Sequence, residues 1–418
     1  MTATVTVVGV NGHNLPPGVE SAIAAARLVV GSRPALQRWS ATARAAGGGS
    51  AAIHDQPRTI ELTTPDVIPD PTLAELAAAV EADEPVVVLV AGDPGYFGVL
   101  RALRGHRLPT VCWPSVSYLQ RVAAMIQRPW DDVTVVNAGD GGLRRAVNLC
   151  RARPAVCVYT APGAGPAELG TELVGWRRTL VVVEDPGGPA ERLSIVDPAE
   201  ATARTWGEPA VVLCLADLDQ VGTAGWLAGG EPVPPANGWA LPQDEFTHRE
   251  GFGSQPELRA LALARLAPRP GTLVWDVAAG SGALGVEAAR LGAAVIAVEH
   301  DPGLCVRIMA NAKRYGVDVR LVDGQAPESL AGLPRPDAVF VATTRPDVLA
   351  ACAGAGAHRI VVEVRDFGGI GPARDVLADA GYTVDGRLLF AAPIEGLARG
   401  SAGIEQAAST LLLWGTRR

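Results

Sequence analysis

The sequence predicts an α/β protein of two domains, and three observations carry that prediction. The chain has 418 residues, more than one hydrophobic core usually serves. Strand-like apolar runs alternate with helix-like stretches along its length, and glycine is abundant at 48 residues, the pattern of strand–helix crossovers. The composition, 48% hydrophobic and 19% charged, is that of a globular chain able to bury sizeable cores.

The first domain, 1–218, runs from a strand at Thr4–Val8 to a strand at Ala210–Leu215. The Gly/Ala-rich stretch Ala41–Ala52 reads as a surface loop inside it. Val86–Ala91 is a buried strand followed by Gly92-Asp-Pro-Gly-Tyr-Phe-Gly98, which is first of all a turn. Gly9-Val10 follows the first strand and Pro114-Ser-Val-Ser117 the third. Gly9, Val10, Gly92, Asp93, Pro94 and Ser117 thus sit on three strand-end loops that could converge on one ligand.

Residues 219–240 are rich in Gly, Pro and Trp, which break any periodic pattern and mark a linker. The second domain, 241–418, carries the clearest local logic. A helix at Glu257–Leu266 precedes a strand at Thr272–Val277, a loop at Ala278–Gly282 and a helix at Ala283–Leu291. A second strand, Ala293–Val298, ends at Glu299. Strand, glycine loop, helix, strand and acidic residue make the nucleotide-binding half of a doubly wound sheet. Asp276, Ala278, Gly280, Ser281 and Gly282 form the loop, and Glu299 is placed to accept hydrogen bonds from ribose hydroxyls. Gly280-Ser-Gly-Ala-Leu-Gly285 also satisfies GxGxxG, so a nicotinamide cofactor is the competing reading. Asp276 at the strand end, where a dinucleotide fold usually carries a neutral residue, weighs against it.

Charge and composition exclude other classes. A net charge of −8 and an aromatic fraction of 5% argue against a nucleic-acid binder. The six cysteines have no CxxC spacing and the six histidines no ligand spacing, so no metal site or disulfide framework is expected and a reducing cytoplasm fits. No apolar run reaches the ~20 residues of a membrane span.

Specific segments resemble known families. Asp276-Val-Ala-Ala-Gly-Ser-Gly282 resembles the D-x-G-x-G-x-G loop of class I methyltransferases, with a Rossmann-like fold. Gly238–Gly251, Glu257–Ala260, Leu273–Asp276, Asn311–Gly316 and Pro334–Phe340 resemble the precorrin methylase and decarboxylase domain of cobalamin biosynthesis. In the first domain the Gly-Asp-Pro turn, Val29–Arg33, Tyr118–Ile126 with Pro129-Trp130, Tyr159–Gly163 and Gly187–Leu193 resemble class III tetrapyrrole methyltransferases. The two in this order resemble the fused, decarboxylating precorrin methyltransferases.

The resemblance implies S-adenosylmethionine as cofactor, with Ser254 and Ala326 added to the binding residues. It also implies methylation at carbons 5 and 15 of a polycarboxylate tetrapyrrole, with loss of carbon dioxide from the carbon-12 acetate, and a homo-oligomer, dimer or tetramer. Arg33, Arg249 and Arg259 are candidate carboxylate clamps; no residue is assigned a catalytic role. Departures from the family pattern lie in both domains: the first loop, Gly9-Val-Asn-Gly-His13, lacks the Gly-Pro pair the family prefers, and the others lie in the second domain. Ala278 takes the place of a glycine, at a cost of roughly 1 kcal/mol if that position needs positive φ. Gln325 and Val341-Ala-Thr-Thr344 replace an Asp and a Gly-rich turn. These substitutions leave open that the second half serves assembly or channelling and only the first is catalytic.

Overall fold

The structure, a computed structural model, describes residues 4–11, 18–46, 57–62, 67–139, 141–208, 210–221, 228–229, 237–248, 255–391, 394–395, 403–404 and 408–417. The chain divides into two compact units. Met1–Leu143, Cys157–Thr171 and Arg178–Ala224 form the first, and Arg144–Val156, Glu172–Arg177 and Gly225–Arg418 the second.

The chain opens with β1 (Val5–Val10), α1 (Glu20–Ala25), β2 (Leu28–Ser32), α2 (Arg33–Ala46) and β3 (Arg58–Leu62). It continues through α3 (Asp70–Glu81), β4 (Val86–Ala91), α4 (Val99–Gly105) and β5 (Thr110–Trp113). These strands make a parallel sheet in the order β3-β2-β4-β1-β5. Strand β4 is apolar throughout because both faces of the sheet are covered. Val86, Val88 and Val90 pack with Leu73, Leu76 and Leu103, while Val87 and Leu89 pack with Val29 and Trp39. The stretch expected as a loop from residue 41 is helical as far as Ala46, within α2, because alanine and arginine are strong helix formers. Residues 47–52 lie outside the described ones.

There follow α5 (Tyr118–Met125), β6 (Thr134–Asn137), α6 (Leu143–Ala152), β7 (Ala155–Tyr159) and α7 (Pro166–Leu173). Then come β8 (Thr179–Glu184), β9 (Arg192–Val196), α8 (Pro198–Ala203) and β10 (Ala210–Leu215). Their sheet has the order β6-β7-β10-β8-β9, with β8 antiparallel to both neighbours.

The second unit, which also takes nearly all of α6, continues with α9 (Pro256–Leu266), β11 (Leu273–Val277), α10 (Ala283–Arg290), β12 (Ala294–Glu299), α11 (Pro302–Arg314) and β13 (Val319–Asp323). Next are β14 (Ala338–Val341), α12 (Pro346–Gly354), β15 (Arg359–Val364), α13 (Ile370–Asp379) and β16 (Thr383–Ala391). The short β17 (Ile394–Glu395) and β18 (Gly403–Ile404) pair with each other before β19 (Ala408–Thr416). The main sheet is seven-stranded, β13-β12-β11-β14-β15-β19-β16. Its first five strands are parallel, and β19 runs antiparallel to β15 and β16.

Strand β11 is buried on both sides. Leu273, Trp275 and Val277 pack with Leu349, Cys352 and Leu377 from α12 and α13. Val274 packs with Leu258, Val286 and Ile308 from α9, α10 and α11. The helices after β11 and β14 therefore leave on opposite faces, and a topological switch point opens at the C-terminal ends of these two strands. The Asp276–Gly282 segment lies there. Among the described residues no helix is long and apolar enough to cross a membrane.

Candidate active sites

Strand β11 delivers Asp276 to the switch point, 1% exposed. Its Oδ2 accepts the Gly285 amide at 2.9 Å, while Oδ1 is buried with no hydrogen-bond partner among the described residues. Burial pushes this carboxyl up from 3.8 to about 7; the Gly285 amide opposes the rise, and Glu299 and Glu363 add to it. The chain then turns through left-handed conformations at Ala278 (φ 57°), Gly280 (φ 61°) and Gly282 (φ 73°). The glycine-like backbone anticipated at Ala278 is thus present, and alanine bears its cost. Glu299, 4% exposed at the end of β12, receives the other side of the loop. Its Oε2 accepts the Gly280 amide at 2.9 Å, and its Oε1 those of His300 and Asp301 at 2.8 and 3.0 Å. Of roughly four acceptor positions on a carboxylate, three are filled. The Gly324 amide bonds the Glu299 carbonyl at 2.9 Å, bringing the segment leading to Ala326 beside Glu299.

Two buried polar residues that sequence reasoning left without a role hold this crevice. Asn311 on α11, 0% exposed, donates to the carbonyls of Ser281 (2.9 Å) and Thr247 (3.0 Å) and accepts the Thr247 amide (2.8 Å). It clips the loop to the segment before α9. Glu287 on α10 accepts the Leu241 amide at 2.7 Å and pairs with Arg259 at 3.3 Å. The signal was available: Leu304, Ile308 and Asn311 share one helical stripe, and a polar residue on an apolar stripe is an anomaly.

Arg259 corrects an expectation. It is 0% exposed, bonded to Glu287 and to the Leu241 carbonyl, and stacked over Phe246 at 4.9 Å. It braces α9, α10 and the Leu241 segment, with its side chain 1% exposed. Ser254 and Arg249 lie outside the described residues. Arg33 is exposed at the start of α2, directly after β2.

In the first unit Gly9 and Val10 are the last residues of β1 rather than the loop after it, and the turns after β4 and β5 close on Gly9. A Cβ there would lie 2.6 Å from the Gly92 carbonyl oxygen and 2.8 Å from the Ser115 nitrogen. Such an approach admits only glycine. The Gly92 amide bonds the Val10 carbonyl at 2.8 Å, and the Asp93 carboxylate accepts the Gly95 amide at 2.6 Å, closing the turn with Pro94 buried inside it. Ser117, 2% exposed, begins α5 with a capping box to Gln120. Its hydroxyl is committed to that cap. Beside the turn Tyr159 stacks on Tyr96 (5.8 Å) and Tyr118 (5.7 Å) and meets Phe97 edge-on (5.6 Å). Arg121 forks onto Glu191 and reaches Asn11 at 3.3 Å, tying the loop after β1 to the one after β8. Sequence reasoning missed both groups, whose members are far apart along the chain.

These two crevices coincide with known families. Residues 4–204 match the tetrapyrrole (corrin/porphyrin) methylases, and residues 244–364 match the precorrin methyltransferase domain. Each half thus matches a methyltransferase family. The match of the second half speaks against the nicotinamide reading of GxGxxG. The chain is 32% identical over 267 residues to a precorrin-6Y C(5,15)-methyltransferase (decarboxylating) from Sinorhizobium sp, covering 62% of each chain. It is 32% identical over 276 residues to the Mycobacterium tuberculosis H37Rv protein of the same name, covering 63% of this chain and 66% of that one. The aligned region thus spans just under two thirds of these relatives' own length. The solved C-terminal domain of the precorrin-6Y C5,15-methyltransferase from Rhodobacter capsulatus is 31% identical, covers 43% of this chain and 97% of that one, and has a TM-score of 0.37.

Proposed function

We propose that the chain is a bifunctional S-adenosylmethionine-dependent methyltransferase of cobalamin biosynthesis. It methylates a precorrin at carbons 5 and 15 and removes carbon dioxide from the carbon-12 acetate. The observation that carries this reading is the presence, on one chain, of the crevice around Gly9 and the Asp276–Glu299 crevice, each inside its own methyltransferase match. The domains in this reading are 1–218 and 241–418, joined by 219–240.

The residues present fit the cofactor. Asp276 Oδ1 is a buried acceptor without a partner among the described residues, suited to the cofactor's ammonium group. Glu299 has one acceptor position left for a ribose hydroxyl, Ala326 takes the adenine edge, and the loop Ala278–Gly282 encloses the chain between them; Ser254, outside the described residues, is a further binding residue. In the first unit Gly9, Val10, Gly92, Asp93, Pro94 and Ser117 line the second cofactor site. S-adenosylmethionine supplies a methyl group already activated on a sulfonium. The protein's work is to hold the nucleophilic ring carbon in line with that methyl and exclude water, an effect worth several kcal/mol. Arg33 and Arg249 are the clamps for the substrate's carboxylates. Of the six cysteines all but Cys112 are buried, which suits a reducing cytoplasm; the working form is a dimer or tetramer.

A second reading draws on Ala278, whose left-handed backbone departs from the loop's glycine pattern. It makes the second half an assembly or channelling domain. Mass spectrometry of the product separates the two. Two methyl groups gained with one carbon dioxide lost supports the bifunctional enzyme; one methyl with the acetate intact supports the second reading, and an unmodified tetrapyrrole overturns both.

A further inference from the structure

Glu363 is a carboxyl of the second crevice with no task in the reading above. Its place follows from strand register. Asp276 is level with Phe340 on β14, and Phe340 with Val361 on β15. Neighbours across a parallel ladder share a face, as do residues two apart along a strand. Glu363 therefore stands on the same face as Asp276, one pleat closer to the C-terminal edge where the crevice opens. Glu299 stands there too, two residues beyond Ala297, which is level with Asp276. Below this line the face is apolar, formed by Val274, Val295, Phe340, Val361 and Trp414.

The three carboxyls differ in what already holds them. Glu299 accepts three backbone amides and Asp276 one. Among the described residues the Glu363 carboxyl accepts no hydrogen bond, and its ion-pair neighbour, Arg365, is 3.9 Å away with its own side chain 65% exposed. The Glu363 side chain keeps 19% exposure, enough to exchange protons with solvent. Burial raises its carboxyl above the usual carboxylate range, with Arg365 opposing.

Loss of carbon dioxide from an acetate side chain needs such a group. The bond between the methylene and carboxyl carbons breaks, and its electron pair moves into the conjugated macrocycle. The methylene carbon must then take a proton to become methyl. A site that excludes water favours departure of the carboxylate but then has little water to supply that proton. We propose that Glu363 is the acid that delivers it, regaining its own proton from solvent. This rests on the reading that the second half decarboxylates.

The test compares wild type, Glu363→Gln and Glu363→Asp on the precorrin substrate, counting methyl groups gained and carbon dioxide lost in the same product. The full chain that methylates without losing carbon dioxide removes the underlying reading before any variant is made. With decarboxylation present in wild type, Glu363→Gln is expected to keep S-adenosylhomocysteine binding and methylation. Decarboxylation per methyl transferred should fall by about 100-fold, the scale of a lost general acid, and methylated product that retains the acetate should accumulate. Glu363→Asp should recover part of the loss. An unchanged ratio in Glu363→Gln overturns the proposal, and so does an equal fall in methylation and decarboxylation, which marks a structural role.

Discussion

Replacing Arg259 by Met tests whether the guanidinium braces the fold or binds substrate. Arg259 and Glu287 are both 0% exposed. Met fills most of the volume but leaves Glu287 as a buried carboxylate whose remaining contact is the Leu241 amide at 2.7 Å. Removing one partner of a buried pair costs about 3–5 kcal/mol. For a domain of this size each kcal/mol is worth roughly 2–4 °C, so melting of the second unit should fall by roughly 6–20 °C. Trp275 and Trp414, both buried in this unit, report the transition by fluorescence. The double variant Arg259→Met/Glu287→Gln keeps an acceptor for the Leu241 amide without a buried charge, and should recover about half the loss. Tetrapyrrole affinity, measured well below the transition, should match wild type. A fall in melting worth less than about 1 kcal/mol, or a double variant no better than the single, would refute the bracing role. Weakened substrate affinity at unchanged stability would restore Arg259 as a clamp.

Ala278→Gly should stabilise the second unit by about 0.5–1 kcal/mol: relief of a left-handed alanine, about 1–2 kcal/mol, outweighs the added freedom of the unfolded chain, about 0.4–1 kcal/mol. Thermal melting checks this, and a destabilised variant would contradict it. Asp276 has a folded-state value of about 7 against 3.8 for the free group, so the folded state binds the extra proton; stability is highest below 3.8 and declines as pH rises through about 7. Denaturant titrations across that window should show the slope in wild type and its loss in Asp276→Asn. Gly9→Ala brings a Cβ to 2.6 Å from the Gly92 carbonyl oxygen and should abolish S-adenosylhomocysteine binding in the first unit while leaving that of the second; calorimetry would register one site fewer.

The local parts of this fold were legible in the sequence. Strands β4 and β10 fall where their apolar runs predict, and the loop from Ala278 to Gly282 follows β11 as expected, because run length and turn residues are local signals. The left-handed backbone at Ala278 was readable from its place in the glycine pattern. What could not be read depends on distant strands. Glu363 is the penultimate residue of an ordinary apolar strand, and only the ladder through β14 puts it on the face of Asp276. Insertion of β19 between β15 and β16 leaves no local trace either. Arg259 misled because a helix-borne arginine reads as exposed until its partner, Glu287 on another helix, is known. Helix α2 ran past its expected end because the Gly-rich composition downstream hid the helix-forming residues before it.

Calorimetric titration of the intact chain with S-adenosylhomocysteine tests the central claim most directly. Two working methyltransferase domains predict two sites per chain, one removed by Gly9→Ala and the other by Asp276→Asn. A single site, or a site count that neither variant changes, would contradict it.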